Sequence, residues 1–141
     1  MMPRMRGKRR VTAAALLVAM ALVSGCATTA VNTPEVAVGE RAQAWLDALM
    51  AFDIDGIYSF TSPAYQSAHS AGYYSRNYAG RNMWKTAELG DIRCDGAEEF
   101  ALCKVKVIVT YRGFLMEEDM TSELTETWVN MGGIWYTQPR L

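Results

Sequence analysis

Cys94 and Cys103 are the residues whose type and spacing point most directly to chemistry. They flank the segment DGAEEFAL, a plausible hairpin loop between two stretches with the pattern of β-strands. Cross-strand neighbours can lie close enough for a disulfide, and an even pair of cysteines favours one in an oxidising compartment. We therefore predict a Cys94–Cys103 disulfide, with two reduced, buried thiols as the alternative. No zinc site or cofactor is expected, because His69 is the only histidine and a structural zinc takes four ligands.

The segment 71–84, AGYYSRNYAGRNMW, has the composition of a ligand-binding surface. Aromatic faces interleaved with guanidinium groups can stack bases, or bind a sugar or an anion. Packing is the favoured interpretation, because Tyr74 and Tyr78 are one helical turn apart and could lie on a sheet with their hydroxyls in water. If a pocket is present, we expect its rim to carry Arg76 or Arg81 and its walls to be formed by Trp45, Tyr73, Tyr78, Trp84 and Tyr111.

Acid–base catalysis has few candidates in this sequence. It needs a base whose pKa is raised by apolar walls and a donor for a developing oxyanion. Asp53 and Asp55 are placed to cap helices, whereas Glu88 and Asp91 lie near strand ends and could point inward. His69 lies in a polar segment expected to face solvent. The sequence therefore assigns no catalytic residue.

The N-terminal 25 residues have the three-part layout of a secretory signal. Basic residues fill MMPRMRGKRR, an apolar run follows from Val11 to Val23, and small residues end it. At about 13 residues the run is too short to span a bilayer as a helix. Its end, Val23-Ser24-Gly25-Cys26, resembles the lipobox of bacterial lipoproteins. An ordinary secretory signal cleaved near Ala30 is the alternative.

The lipobox resemblance implies a domain layout and a location. Signal peptidase II would remove residues 1–25 and leave a lipid on the sulfur of Cys26, followed by a tether over 26–33 and a domain over 34–141. The protein would then be held on the membrane by its lipid and face the periplasm. Ala27, rather than Asp, after the cysteine resembles lipoproteins sorted to the outer membrane.

Charge excludes one class of partner. The full chain has 14 Lys and Arg against 15 Asp and Glu, and residues 1–25 contain five of the basic residues and no acidic one. Cleavage would leave nine basic and fifteen acidic residues, so the remaining domain would carry about six negative charges. We expect no nucleic-acid binding, because phosphates must be neutralised by Lys and Arg.

The first half of the domain is predicted to be helical. Thr33-Pro34-Glu35 is a typical helix start, and apolar residues then recur every three or four positions, which predicts an amphipathic helix over 34–52. Asp55 is expected to cap a short helix over 56–60. Ser62-Pro63 predicts another over 64–70.

The second half changes to the alternating period of strands. We predict strands over 86–94, 101–112, 120–130 and 134–136. A solvated turn is expected over 113–119, and Gly132-Gly133 is a strong hairpin signal. Helices followed by antiparallel strands predict an α+β domain with helices covering one face of the sheet.

This order resembles one superfamily over residues 34–138. A long amphipathic helix with Trp45 in its middle, Ser62-Pro63-Ala64-Tyr65, the strand meander, and the ending Trp128-Val129 then Gly133-Ile134-Trp135-Tyr136 are similar to NTF2-like, or SnoaL-like, domains. The resemblance implies a cone, with a curved antiparallel sheet around the long helix and often a hydrophobic pocket at its mouth.

Three functions are compatible with such a cone, since fold does not determine function. The first is a non-enzymatic module that binds a small apolar ligand or an envelope protein. The second is a small enzyme, of isomerase or dehydratase type, with an acid–base pocket in the cone. The third is an accessory subunit that docks by strand addition or through its tryptophans. We expect the first.

Overall fold

Helix α1 begins at the cap that the sequence predicts. In the computed structural model, which describes residues 32–96 and 101–139, Thr33 Oγ1 accepts a hydrogen bond from the backbone N of Val36 at 3.4 Å. The helix spans Pro34–Met50, two residues short of the predicted end, because the chain turns at Phe52, whose φ is 60°. The predicted signal peptide 1–25, Cys26 and most of the tether lie outside the described residues.

Three short α-helices and a 3-10 helix follow. Their bounds are Ile54–Tyr58 for α2, Pro63–Ala68 for α3, Ala71–Ser75 for α4 and Arg76–Met83 for the 3-10 helix. The predicted cap of α3 is confirmed, because Ser62 Oγ accepts from the backbone N of Tyr65 at 3.2 Å. The prediction that Asp55 caps α2 is wrong: Asp53 Oδ1 accepts from the backbone N of Gly56 at 2.8 Å. The turn at Phe52 puts Asp53 in the extended conformation of a cap, and Asp55 falls in the first helical turn.

Four strands form one open antiparallel sheet in the order β1-β2-β3-β4. Their bounds are Trp84–Asp95, Leu102–Tyr111, Met120–Met131 and Ile134–Gln138. The predicted hairpin at Gly132-Gly133 is confirmed, with φ of 63° and 84° at the two glycines. Each predicted strand overlaps its observed strand to within about three residues at either end, as is usual for boundaries set by pattern.

Helices pack on one face of this sheet, so the α+β prediction is confirmed. The inward face of β2 is wholly buried and consists of Cys103, Val105, Val107 and Val109. Helix α1 covers the sheet with its own buried face, which consists of Val38, Ala42, Trp45, Leu46 and Leu49. Trp128 of β3 meets Trp45 edge to face, with ring centroids 6.2 Å apart.

The predicted disulfide is present. Cys94 and Cys103 are directly opposed in the β1–β2 ladder, and their sulfurs are bonded. The bond closes the end of the hairpin nearest the β3–β4 turn, since Leu102 pairs with Val129. No helix within residues 32–96 and 101–139 is long and apolar enough to cross a bilayer.

Candidate functional site

A cavity of about 350 Å³ lies between α3 and the last two strands. Its walls come from α3 with its cap, from the end of β3, and from β4 with the residue after it. The lining residues are Ser62, Ala64, Tyr65, Ala68, His69, Val129, Met131, Tyr136, Thr137, Gln138 and Pro139. Most of the wall atoms are apolar, which suits a small ligand with an apolar body.

The two walls of this α3–β4 cavity are tied together by backbone contacts. The backbone N of Thr137 donates to the carbonyl O of Phe60 at 2.9 Å, and Thr61 forms a parallel bridge with Thr137. Ser62, which caps α3, follows directly. The position of α3 relative to β4 is therefore fixed by these backbone contacts and not by side-chain packing alone.

Tyr65 lines the α3–β4 cavity. Its hydroxyl oxygen is buried and has no hydrogen-bond partner among the described residues. Burial, followed by the neighbouring phenols of Tyr73 and Tyr58, raises the pKa of Tyr65. The hydroxyl therefore stays protonated at neutral pH.

His69 lies between two tyrosine rings at the edge of the cavity. Its ring centroid is 4.6 Å from that of Tyr65 and 4.7 Å from that of Tyr73, with the second pair stacked. Arg76 extends the column, because its guanidinium carbon is 5.6 Å from the Tyr73 ring centroid. His69 is thus half-buried rather than fully exposed to solvent as its polar segment predicts.

A second group of polar side chains lies inside the protein, under α1. Trp45 Nε1 donates to the Tyr74 hydroxyl at 3.1 Å, the Tyr74 and Tyr78 hydroxyls are 3.4 Å apart, and the Tyr78 hydroxyl donates to Glu126 Oε2 at 3.2 Å. Glu126 is only 4% exposed. We call these four residues the interior polar chain.

Burial controls the protonation of the two tyrosines in this chain. Desolvation raises the pKa of Tyr74 to about 12, against the opposing hydrogen bonds from Tyr78 and Trp45. Desolvation likewise raises the pKa of Tyr78, and the charges of Tyr74 and Glu126 raise it further. Both phenols are neutral donors at physiological pH. The expectation that their hydroxyls lie in water is wrong, because Trp45 and Glu126 provide partners inside the core.

A small cavity of about 110 Å³ reaches the interior polar chain and is lined by Asn77, Tyr78, Leu124 and Glu126. A carboxyl group can accept or give up a proton, and the neutral phenol beside it can donate a hydrogen bond, so both groups could act on one bound molecule. The space is enough for a few waters or a very small molecule, since one water occupies about 30 Å³ in the liquid. The larger cavity and the buried acid are separate features with no lining residue in common.

The structure divides the seven residues predicted to surround a pocket. Trp45 and Tyr78 are together, with ring centroids 5.5 Å apart, and Trp84 pairs with Tyr111 across the β1–β2 ladder. Tyr73 and Arg76 lie outside with Tyr73 half-exposed, and the Arg81 guanidinium carbon is 5.0 Å from the Phe52 ring. None of the seven lines the α3–β4 cavity, and Tyr78 lines the small one.

Sequence reasoning missed Glu126, Tyr65 and His69 as site residues. A signal for Glu126 was present, because it alternates with Leu124 and Trp128 and therefore shares their inward face of β3. No local pattern marks Tyr65 or His69, whose roles depend on β4 lying beside α3. Among residues 32–96 and 101–139, no three His, Cys, Asp or Glu side chains are grouped closely enough to hold a metal ion.

Comparisons with known proteins assign no family. No protein-family model matches the chain, and no curated protein matches it. A solved structure with some similarity is the solution structure of a SEC-C motif containing protein from Rhodopseudomonas palustris, with a TM-score of 0.47 and 18% identity over 75% of each chain. Likeness at this level assigns neither a function nor a family.

Proposed function

We propose that this chain is a lipid-anchored cell-envelope protein whose NTF2-like domain binds a small, largely apolar ligand without chemical conversion. The observation that carries the proposal is the α3–β4 cavity, whose walls are mostly apolar. At about 350 Å³ the cavity is within the usual range for small-molecule sites.

The chemistry of the cavity defines the class of ligand. An apolar wall favours a ligand with a hydrocarbon or aromatic body, and the smaller polar part of the wall suits a few polar groups on that ligand. The lining residues include no Lys, Arg, Asp or Glu, so we expect an uncharged ligand.

The NTF2-like assignment is supported by the arrangement of the described elements. A long helix packs on one face of an antiparallel sheet, and short helices connect the two. A structure determined with the ligand bound would test whether the sheet curves around α1 into a cone.

The lipid anchor is supported by the sequence Val23-Ser24-Gly25-Cys26 after a basic segment and an apolar run. Metabolic labelling with a radioactive fatty acid tests it directly. The wild-type chain should incorporate label, and the Cys26→Ser chain should not. Equal labelling of both chains would rule out Cys26 as the site.

Native mass spectrometry of residues 26–141 with Cys26→Ser, exported behind an ordinary secretory signal and collected from the periplasm, tests ligand binding. The expected result is a retained neutral molecule of defined mass. Ala68→Trp fills the cavity and should abolish retention, whereas Ala79→Trp places the same side chain on the exposed side of the 3-10 helix, outside the cavity lining, and should preserve it. Retention by Ala68→Trp, or no bound molecule in the parent chain, would count against this site.

The interior polar chain favours a second candidate, a small enzyme of isomerase or dehydratase type. Glu126 and Tyr78 meet at a cavity and could serve as base and oxyanion donor. Conversion of the retained molecule by the parent chain, and its loss in Glu126→Gln with the fold intact, would favour the enzyme. Unchanged ligand after incubation favours the binding module.

A further inference from the structure

The loop between β2 and β3 presents three apolar side chains to solvent. Phe114 is 100% exposed, Leu115 is 92% exposed and Met116 is 44% exposed. We call residues 114–116 the apolar tip. The sequence predicts a solvated turn at 113–119, and the structure confirms its exposure. Exposure of three apolar side chains to water is nevertheless unfavourable. Contiguous exposed apolar groups of this kind mark interaction sites.

The base of this loop is held in place. Asp119 accepts hydrogen bonds from Lys85 Nζ at 2.6 Å and from Arg112 Nε at 2.7 Å. The backbone N of Arg112 also donates to the carbonyl O of Met83 at 3.3 Å. The apolar tip is therefore presented on a base joined to β1, so less ordering is needed when a partner binds.

Further apolar surface surrounds the base. Met83 and Met120 are each 44% exposed. Met120 pairs with Tyr111 at the start of the loop, and Met83 touches Arg112 through the backbone, so both flank the same end of the sheet. Methionine side chains adapt their shape to an apolar surface opposite them. The tip and the two methionines place five exposed apolar side chains at this end of the sheet.

Charge beside the apolar tip distinguishes between partners. Glu117 and Glu118 follow the tip directly and are exposed. Anionic lipid headgroups would repel them, so a negatively charged membrane is a poor partner. A protein cleft with an apolar floor and Lys or Arg at its rim would attract them and set the orientation of docking.

The apolar tip lies at the end of the sheet opposite the start of the described chain. Asn32 and Pro34 line a groove with Asn130 and Gly133 at the far end of β3. The 12 residues of β3 separate the two ends by about 36 Å.

We infer that the apolar tip is a docking element for a partner protein whose apolar cleft is bordered by basic residues. The inference rests on the exposure of the tip and on its flanking charge, and it does not depend on the proposed lipid anchor. The occupant is a protein rather than the lipid surface, because Glu117 and Glu118 are repelled by anionic lipid and attracted by a basic cleft.

Photo-crosslinking of the full chain in its native cells tests this inference. p-Benzoylphenylalanine is placed at position 114 and, as a matched control, at Ile134, which is 47% exposed at the opposite end of the sheet. The expected result is one protein-sized adduct from position 114 that position 134 does not give. Glu117→Lys combined with Glu118→Lys should lower its yield by about tenfold through loss of charge complementarity.

Three outcomes would overturn the inference. They are an adduct of lipid size, no adduct at position 114, and a protein adduct that survives the double charge reversal unchanged. Thermal unfolding of the labelled chains should equal that of the wild type, because the substituted residues are exposed. Fatty-acid labelling of the same cells reports lipidation separately, so failure of the anchor and failure of docking are distinguishable.

Discussion

The Tyr78 hydroxyl donates a hydrogen bond to Glu126 Oε2 over 3.2 Å, although the residues are 48 positions apart in sequence. The contact joins the 3-10 helix to β3 underneath α1, and Trp45 and Tyr74 continue it. These groups are buried and cannot form hydrogen bonds with water, so each needs a hydrogen-bond partner within the protein.

Removal of the Tyr78 hydroxyl should destabilise the domain. Tyr78→Phe removes one hydrogen-bond donor to Glu126, and loss of a buried hydrogen bond to a carboxyl group costs about 1 to 3 kcal/mol. Tyr73→Phe is the matched control, because Tyr73 is half-exposed and its change should stay within about 0.5 kcal/mol. Urea unfolding of the two variants measures the difference. Equal midpoints for both would show that the bond contributes nothing.

High pH should unfold the domain through the same tyrosines. The pKa of Tyr74 is about 12 in the folded protein, against about 10 in an unfolded chain. The folded state therefore holds its proton where the unfolded state has lost it. Stability is full below about pH 10 and falls as the pH rises towards 12.

Denaturant unfolding at several alkaline pH values checks this fall. Tyr74→Phe removes the titrating group and should make the stability less dependent on pH above about 10. Parallel curves for the parent and Tyr74→Phe would contradict the assignment. The absorbance change on tyrosinate formation independently measures how many phenols lose their proton only above the usual pKa of about 10.

Loss of the disulfide should lower stability by a moderate amount. Cys94 and Cys103 are nine residues apart, and opening a loop of this size costs roughly 2 to 3 kcal/mol on the chain-entropy model. The Cys94→Ala, Cys103→Ala double variant compared with the oxidised wild type measures this in urea. Adding a reductant should lower the wild type to the level of the double variant and leave the double variant unchanged. A double variant as stable as the oxidised protein would disprove the contribution.

Asp53 and Asp55, two positions apart at the start of α2, are a matched pair of acids for testing the cap. Asp53→Ala removes the acceptor for the backbone N of Gly56 and should cost about 1 kcal/mol. Asp55→Ala lies in the first turn of the same helix and should cost less, because only a favourable charge at the helix start is lost. Thermal unfolding of both variants ranks them. The reverse order would restore the original interpretation of Asp55 as the cap.

Much of the fold is predictable from local pattern. The spacing of Val38, Ala42 and Trp45 specifies the buried face of α1, and the alternation of β2 specifies its inward side, because both patterns follow the geometry of a single element. The disulfide is predictable because Cys94 and Cys103 flank one hairpin.

The candidate sites are much less predictable, because they depend on contacts between distant elements. Tyr65 has a role only because β4 lies beside α3. Glu126 points inward in β3, a strand rich in threonine whose composition is typical of a sheet with one face partly exposed to solvent. Its alternation with Trp128 was therefore the single indication that Glu126 is buried. Aromatic residues identified by composition alone, such as Tyr73 and Trp84, are distributed over different surfaces.

The hydrogen bond from Thr137 to Phe60 has a consequence for biogenesis. It joins a segment near the start of the domain to the last of the described strands, so the α3–β4 cavity lacks its β4 wall until β4 has been synthesised. If the chain is exported unfolded, as the proposed lipid anchor requires, the earlier helices emerge first. The proposed ligand would then be bound only after the complete sheet has folded, on the far side of the membrane.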